Sequence, residues 1–333
     1  MPVRKIINDP KQVVPNLIEG LLAAYGGQVR RVGDVNALVK TNLQRDKIGL
    51  LIGGGSGHEP LFPAFIGDNL ADGAACGNIF AAPTPNTILT ATRALNQGRG
   101  VLYLYGNYAG DNMNFDIAAE MAAEEGIAVK TVRVWDDAAS APREKMQERR
   151  GIAGDLFVIK VAGAVTAEAK DLEEAFRVTA KARDLTRSIG VAVAAGSIPE
   201  TGAPTFELPA DEIEIGMGLH GEPGVSREKM QRADAIVDKM LATLLPDLPF
   251  VRGDEVCLLV NDLGSTTMME LLIANRRARQ VLDEKDLTVH DTLIGSYCTC
   301  QEMAGFSISL MKVDEELKRC YRMPARSLGF SRA

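Results

Sequence analysis

The chain has 333 residues, of which 46% are hydrophobic and 24% charged, and its net charge is −7. This length and composition allow a large buried core, indicate two domains and exclude a mainly disordered chain. The acidic balance argues against a nucleic-acid-binding protein, which needs clustered Lys and Arg. No apolar run is long enough to span a membrane and the N-terminus has no apolar signal core, so we expect a cytoplasmic protein.

In the first half of the chain, apolar runs alternate with helical patterns. Residues 47–52, 100–105 and 128–134 are predicted as buried strands. The segments 84–96 and 114–125 between them have helical periodicity. Strands that alternate with helices in this way predict a largely parallel sheet with helices on its faces.

The second half repeats the pattern. Strands are predicted at 190–195, 212–216, 255–260, 292–297 and 306–311, and helices at 227–245 and 266–282. A charged segment near 184–190 suggests a domain boundary. We therefore expect an α/β fold of two domains, 1–185 and 186–333, each with a central, largely parallel or mixed sheet flanked by helices.

Five cysteines are scattered along the chain, at positions 76, 257, 298, 300 and 320. No second pair accompanies Cys298 and Cys300 to complete a zinc-ligand set. We therefore expect reduced cysteines that serve mainly in packing, and no metal site.

Two of the three histidines follow predicted strands in glycine-rich segments. His58 lies in Gly-Gly-Gly-Ser-Gly-His-Glu-Pro, and His220 lies in Gly-Met-Gly-Leu-His-Gly-Glu-Pro-Gly. Loops at the carboxyl ends of strands are common ligand sites in α/β sheets, and imidazole often serves as an acid or base near neutral pH. Both histidines are therefore candidate site residues, whereas His290 is expected at the surface or at a strand edge.

Asp111 follows a predicted strand, in Asn-Tyr-Ala-Gly-Asp-Asn-Met-Asn-Phe. One interpretation makes it the N-cap of the helix that follows. Another makes it a base that accepts the proton of a sugar hydroxyl during phosphoryl transfer. The two roles can coexist.

The glycine run at 53–57 does not provide a recognisable nucleotide site. Its spacing does not fit G-x-G-x-x-G, and the chain has no G-x-x-x-x-G-K-[ST] segment. It also has neither H-E-x-x-H nor G-x-S-x-G. The sequence thus predicts a site for a small polar ligand without a triphosphate-binding loop.

These motifs closely resemble the K subunits of the dihydroxyacetone kinase family. The similarity covers nearly the whole chain and rests on five long motifs in the same order, at 53–60, 77–85, 107–115, 216–224 and 295–308. It implies two α/β domains, a short ketose as substrate and a homodimer. It also implies a separate L subunit that holds ATP or ADP with magnesium, so this chain itself is expected to bind no cofactor. A phosphotransferase-system M subunit is a further possible partner.

The resemblance also implies roles for individual residues. His220 corresponds to the family's covalent histidine, whose Nε2 adds to the C2 carbonyl of the ketose and forms a hemiaminal. His58 and Asp111 correspond to the catalytic pair, and the segment of Gly55, Ser56 and Gly57 corresponds to the substrate-contacting loop.

The chain departs from the family at two motifs. Gly106 stands where many bacterial K subunits have a substrate-contacting Lys, which suggests either neutral drift or a pocket for a larger ketose such as erythrulose or apulose. Asp262 replaces the Gly of the usual Asn-Gly-Leu-Gly segment. Because the three catalytic residues are retained, we expect a phosphotransferase. The alternative is a non-catalytic ketose sensor that acts as a transcriptional coactivator.

Overall fold

The computed structural model describes residues 5–333. Its α-helices are α1 (Val13–Tyr25), α2 (Pro85–Leu95), α3 (Ala109–Glu124), α4 (Asp155–Glu168), α5 (Leu172–Asp184), α6 (Ala233–Asp247), α7 (Met268–Glu284) and α8 (Glu315–Arg322). Its strands are β1 (Val29–Arg31), β2 (Ala37–Lys40), β3 (Gly49–Ser56), β4 (Gly67–Asp68), β5 (Gly73–Ile79), β6 (Val101–Gly106), β7 (Val129–Val134), β8 (Thr186–Ala194), β9 (Glu212–Ile215), β10 (Ser226–Lys229), β11 (Glu255–Asp262), β12 (Thr288–Gly295), β13 (Ala304–Val313), β14 (Ala325–Ser327) and β15 (Ser331–Arg332).

The first sheet has the strand order β1-β2-β5-β3-β6-β7. Its four adjacent strands β5, β3, β6 and β7 are parallel to one another. Successive side chains of a strand point to opposite faces. Leu50 and Ile52 accordingly pack in one core, while Leu51 packs in another with Phe115 of α3. Both faces are apolar because helices cover both of them.

β3 extends beyond the predicted end at residue 52 and includes the first three glycines of the 53–57 run. A Cβ at Gly54 would lie 2.4 Å from the Phe62 ring, and one at Gly53 would lie 2.5 Å from the Ala75 carbonyl oxygen. These glycines therefore allow close packing within the sheet. The turn is made by Gly57, whose φ of +105° suits a residue without a side chain.

α3 begins five residues before the predicted start at 114. Tyr108 is the N-cap residue, so the N-cap interpretation of Asp111 is wrong and Asp111 lies in the first helical turn. The Asp111 carboxylate supports this earlier start, because a negative charge is favourable near a helix N-terminus.

The second sheet has the order β10-β9-β8-β13-β11-β12 and is mixed, with β11 and β12 as its parallel pair. The predicted helix at 227–245 is wrong at its start, since β10 pairs with β9 and α6 begins only at Ala233. Arg227 of β10 forms an ion pair with Glu214 of β9, an interaction between strands that helical periodicity cannot reveal.

Elements from the two halves pack against each other. β14 and β15 join β4 of the first half in a small third sheet, and α4 is buried nearly all round.

The predicted α/β fold class is confirmed, while the division at 185/186, between α5 and β8, stays a prediction. Within residues 5–333, every helix is too short or too polar to cross a lipid bilayer.

Candidate active site

A cavity of about 360 Å³ lies where β3 and β6 end and where α3 and α4 begin. His58 and His220 enter it from opposite sides, one from each half of the chain. The carboxyl side chains of Asp111 and Asp155 also line it. The remaining lining is mostly glycine, alanine and apolar or aromatic side chains: Gly53, Gly54, Gly55, Leu61, Phe62, Phe80, Ala81, Ala82, Gly106, Tyr108, Ala109, Gly110, Gly151 and Leu219.

His58 follows β3 and is 4% exposed. Its Nδ1 lies 2.7 Å from the Thr299 carbonyl oxygen, which can only accept, so Nδ1 carries the proton. Burial, together with the charge of His220, lowers the pKa of His58 to about 3. His58 is therefore neutral at neutral pH and directs an unprotonated Nε2 into the cavity.

His220 lies in the loop after β9, and its Nε2 is 3.0 Å from Nε2 of His58. Its Nδ1 is 3.1 Å from a carboxylate oxygen of Glu222, and its backbone N–H donates to the other oxygen at 2.9 Å. The His220 side chain is 26% exposed, so a ligand in the cavity can reach it.

The two Nε2 atoms can form a hydrogen bond only when a proton lies between them. His58 Nδ1 donates to a carbonyl and His220 Nδ1 donates to a carboxylate, so neither ring has another place for that proton. When this proton leaves Nε2 of His220, the lone pair of that nitrogen faces the cavity. The arrangement is thus suited to nucleophilic attack by His220, with a proton acceptor beside it.

Glu222 holds the His220 ring in place. Burial by itself would raise the pKa of the Glu222 carboxyl, but the hydrogen bond from His220 and its charge lower it to about 2. The Arg150 guanidinium lies 3.8 Å from the Glu222 carboxylate and places a positive charge beside it. An ionised carboxylate on Nδ1 stabilises positive charge on the imidazole.

Asp111 faces the same cavity from the first turn of α3. Burial raises its pKa to about 6, although the charge of His220 opposes the shift. Its Oδ1 is buried and has no hydrogen-bond partner among residues 5–333. A carboxylate with a pKa close to neutral and a free oxygen is suited to accept a proton from a ligand hydroxyl.

Aromatic rings enclose the two histidines. Phe80 lies 5.2 Å from the His58 ring and 5.3 Å from the His220 ring. Tyr108 approaches His220 edge-on at 5.0 Å, and its hydroxyl donates to the Gly151 carbonyl. Phe80 has a φ of +54°, a conformation that is costly for an aromatic residue and that often accompanies functional sites.

The structure brings together five of the seven residues expected at the site: His58, His220, Asp111, Gly55 and Gly106. Ser56 and Gly57 do not line this cavity. The Ser56 hydroxyl donates to the Gly77 carbonyl, and the Gly57 N–H donates to the Glu59 carboxylate. A Cβ at Gly55 would lie 2.8 Å from the Ala81 nitrogen, so Gly55 lets the β3 and Ala81 backbones approach closely.

The cysteines, His290 and Asp262 lie away from the cavity. The five cysteines are buried and free of disulfides, as expected. His290 lies on the edge strand β12, as expected. Asp262 accepts hydrogen bonds from the backbone of Gly264 and Thr266 and from the Ser296 hydroxyl, so its carboxylate organises a turn.

Sequence reasoning missed five contributors to the site: Glu222, Phe80, Tyr108, Asp155 and the Thr299 carbonyl. The spacing His-x-Glu could have indicated Glu222, because a carboxylate two residues from an imidazole in a turn can contact it. Thr299 lies 241 residues from His58 and has no signal in the sequence. Asp155 was missed because a single acidic residue at the start of an apolar helix resembles an ordinary first-turn carboxylate.

The model of the Dak1 domain family matches residues 19–329. The chain belongs to this family of dihydroxyacetone kinase K subunits. A PTS-dependent dihydroxyacetone kinase 2, dihydroxyacetone-binding subunit of Listeria innocua is 42% identical to this K subunit, over 95% of this chain and 96% of its own. An L-erythrulose kinase of Pectobacterium atrosepticum is 37% identical over 98% of this chain and 56% of its own length.

Solved structures agree with this assignment. The dihydroxyacetone kinase of C. freundii superposes on this K subunit with a TM-score of 0.89 and 30% identity, over 98% of this chain and 60% of that chain. A dihydroxyacetone kinase operon co-activator superposes with a TM-score of 0.88 and 27% identity, over 96% of this chain and 98% of that chain.

Proposed function

We propose that this chain is the substrate-binding subunit of a dihydroxyacetone-type kinase, and that it binds a short ketose covalently on His220. The observation that supports this best is the 3.0 Å contact between Nε2 of His220 and Nε2 of His58, beside the unpartnered carboxyl of Asp111. The relatives named for dihydroxyacetone and for L-erythrulose suggest ketoses of three or four carbons.

In the binding step, the Nε2 lone pair of His220 forms a bond to the C2 carbonyl carbon of the ketose. The carbonyl π electrons move to the oxygen, which takes up the proton that leaves His220 Nε2 and passes through Nε2 of His58, so that His58 is neutral before and after the step. The imidazole of His220 then carries a positive charge that the ionised Glu222 stabilises. The product is a hemiaminal, and glycerol is rejected because it has no carbonyl carbon to attack.

In the transfer step, the hydroxyl of the bound ketose loses its proton to Asp111 as its oxygen bonds to the terminal phosphorus of the donor. The nucleoside diphosphate leaves with the electrons of the broken P–O bond. Asp111 suits this role because its raised pKa, about 6, makes it a stronger base than an ordinary carboxylate and leaves it mostly ionised at pH 7.

We also propose that the donor is held by a separate L subunit, as ATP or as ADP that an M subunit of a phosphotransferase system recharges. Support comes from the name of the Listeria relative, which is one subunit of a PTS-dependent kinase. We further propose a homodimer in the cytoplasm. The five free cysteines are compatible with a reducing compartment.

The second candidate function is a ketose sensor, which is favoured by the fold it shares with the operon co-activator. A sensor needs a binding site but no base for the ketose hydroxyl. The presence of Asp111 next to the two histidines therefore favours the kinase.

The two functions can be separated by assaying the purified chain with an L subunit, ATP and ketoses of three to five carbons. We expect ketose phosphate only when both proteins are present. The assay should use L subunits that are known to be active on other K subunits. If the chain then binds a ketose tightly but no ketose phosphate forms, the result would contradict the kinase function and support the sensor function.

A further inference from the structure

Asp155 is a buried acid that the steps proposed above do not use. It is the first residue of α4 and is 4% exposed. Its Oδ1 has no hydrogen-bond partner within residues 5–333, and the side chain lines the cavity together with Asp111. An unpartnered buried carboxyl costs stability, so its presence calls for an explanation outside the fold itself.

The neighbouring buried acids are satisfied by the fold. Asp136 accepts from the backbone N–H groups of Ile152 and Gly154, and Asp137 pairs with Arg150. Asp155 has no such partner, although its own backbone N–H is bonded to the Ile152 carbonyl. It differs from the other two because it faces the cavity.

Gly106 leaves space in front of this carboxyl. A Cβ at position 106 would lie 3.5 Å from Oδ2 of Asp155 and 3.3 Å from the Tyr108 ring. Because glycine has no side chain, this space belongs to the cavity. A polar atom of a ligand can therefore approach Asp155 there, beside the ketose already assigned to His220 and Asp111.

The ionisation of Asp155 indicates the kind of group it can bind. Burial raises its pKa well above the ordinary value, and the charges of Asp136 and Asp111 raise it further. A protonated carboxyl both donates and accepts, which suits a hydroxyl better than a cation. A metal ion is not favoured, because residues 5–333 contain no group of three His, Cys, Asp or Glu placed to hold one.

We propose that Asp155 is a specificity-determining residue that hydrogen-bonds the additional hydroxyl of a ketose with four or more carbons. This inference rests on the proposed function, since it needs the ketose to be held by His220. The cavity has room for such a sugar: about 360 Å³ lies within the range of ~300–1,000 Å³ that is common for small-molecule sites. A triose would leave Asp155 unpartnered.

The test measures binding of dihydroxyacetone, D-erythrulose and L-erythrulose to the full chain by isothermal titration calorimetry. The variants are Asp155→Ala, which removes the carboxyl, and Asp155→Asn, which keeps one donor and one acceptor. We expect Asp155→Ala to weaken the preferred erythrulose about 10-fold and dihydroxyacetone less than about 2-fold, because one hydrogen bond to a buried carboxyl is lost. Asp155→Asn should fall between wild type and Asp155→Ala.

Thermal unfolding of the same variants separates binding from structure. Because the carboxyl is unpartnered, Asp155→Ala is expected to unfold at or above the wild-type Tm. Equal weakening of all three ketoses, or no change in either variant, would overturn the role of Asp155 while leaving the proposed function intact. Failure of the wild-type chain to bind any of the three sugars would instead refute the proposed function.

Discussion

His58 and His220 lie 3.0 Å apart, yet the protein holds them in different ways. His58 is buried and fixed to the Thr299 carbonyl across the two halves of the chain, and burial lowers its pKa to about 3. His220 lies on a loop, is partly exposed and contacts a carboxylate. Two identical side chains thus acquire different chemistry from their surroundings.

This difference indicates a division of roles between the two rings. A neutral, buried imidazole such as His58 can exchange a proton through the Nε2 that it directs into the cavity. The carboxylate on Nδ1 of the partly exposed His220 stabilises the positive charge that a covalent adduct places on the imidazole. Under the proposed function, the first half of the chain would provide the acid–base groups and the second half the nucleophile.

The largest effect is expected from His220→Ala, which should abolish the covalent ketose adduct because His58, the other imidazole at the cavity, has a carbonyl on its Nδ1 rather than a carboxylate that would stabilise a charged adduct. The adduct can be followed by ¹³C NMR with dihydroxyacetone labelled at C2, since the carbonyl signal is lost when the hemiaminal forms. His290→Ala, at the edge of the second sheet, is the matched control and should form the adduct normally. Persistence of the adduct in His220→Ala would end the assignment of His220 as nucleophile.

Asp111→Asn should leave the adduct intact but slow phosphorylation by ~10² to 10⁴-fold, because it removes a positioned proton acceptor. The measurement is ketose phosphate formation with the L subunit and ATP at saturating ketose. Asp116→Asn, on the same helix but paired with Arg133 at the surface, should keep wild-type turnover. Near-normal turnover in Asp111→Asn would remove Asp111 from the transfer step.

Glu222→Gln should weaken the adduct about 10-fold, because it replaces a charge-assisted hydrogen bond to His220 by a neutral one. The dissociation constant of dihydroxyacetone, measured by calorimetry, reports this change. Glu207→Gln, an exposed position in the same half of the chain, is the control. An unchanged constant in Glu222→Gln would mean that Glu222 does not stabilise the charged imidazole.

The pH dependence of turnover should follow Asp111. Its pKa of about 6 means that the base is protonated in acid, so the rate should rise with pH up to about 6 and level off above it. Asp111→Asn should lack this rise. A rise centred near the ordinary carboxylate pKa of about 4 would contradict a buried base at this position.

The smallest effect concerns stability. A carboxyl whose folded-state pKa is raised favours folding below its unfolded pKa and loses that contribution as the pH rises through about 6. The difference in free energy of unfolding between Asp111→Asn and wild type should therefore shift in favour of the variant by up to about 2 kcal/mol when the pH is raised from 4 to 8. Chemical unfolding at the two pH values measures this, and a constant difference between the two proteins would disprove it.

Local pattern was sufficient for much of this molecule. Alternating strands and helices predicted the α/β class, and glycine-rich segments after two strands drew attention to His58 and His220. Where local pattern failed, a contact distant in the sequence was responsible. The strand β10 was mistaken for the start of α6 because its pairing with β9 is invisible to helical periodicity. Local pattern places the glycines of β3 in a loop, whereas they lie in the sheet, where Phe62 and Ala75 leave no room for side chains.

The sequence by itself therefore indicated the fold class and the free cysteines, because these follow from composition and periodicity, and it indicated the candidate nucleophile and catalytic pair through the resemblance of its motifs to the kinase family. Only the tertiary structure decided how the two histidines differ, because burial and the Thr299 carbonyl act on His58 while Glu222 acts on His220. It also decided that Asp155 faces the cavity without a partner. Burial and hydrogen bonding between distant segments set the charge of a side chain, and neither can be predicted from the residues next to it in the sequence.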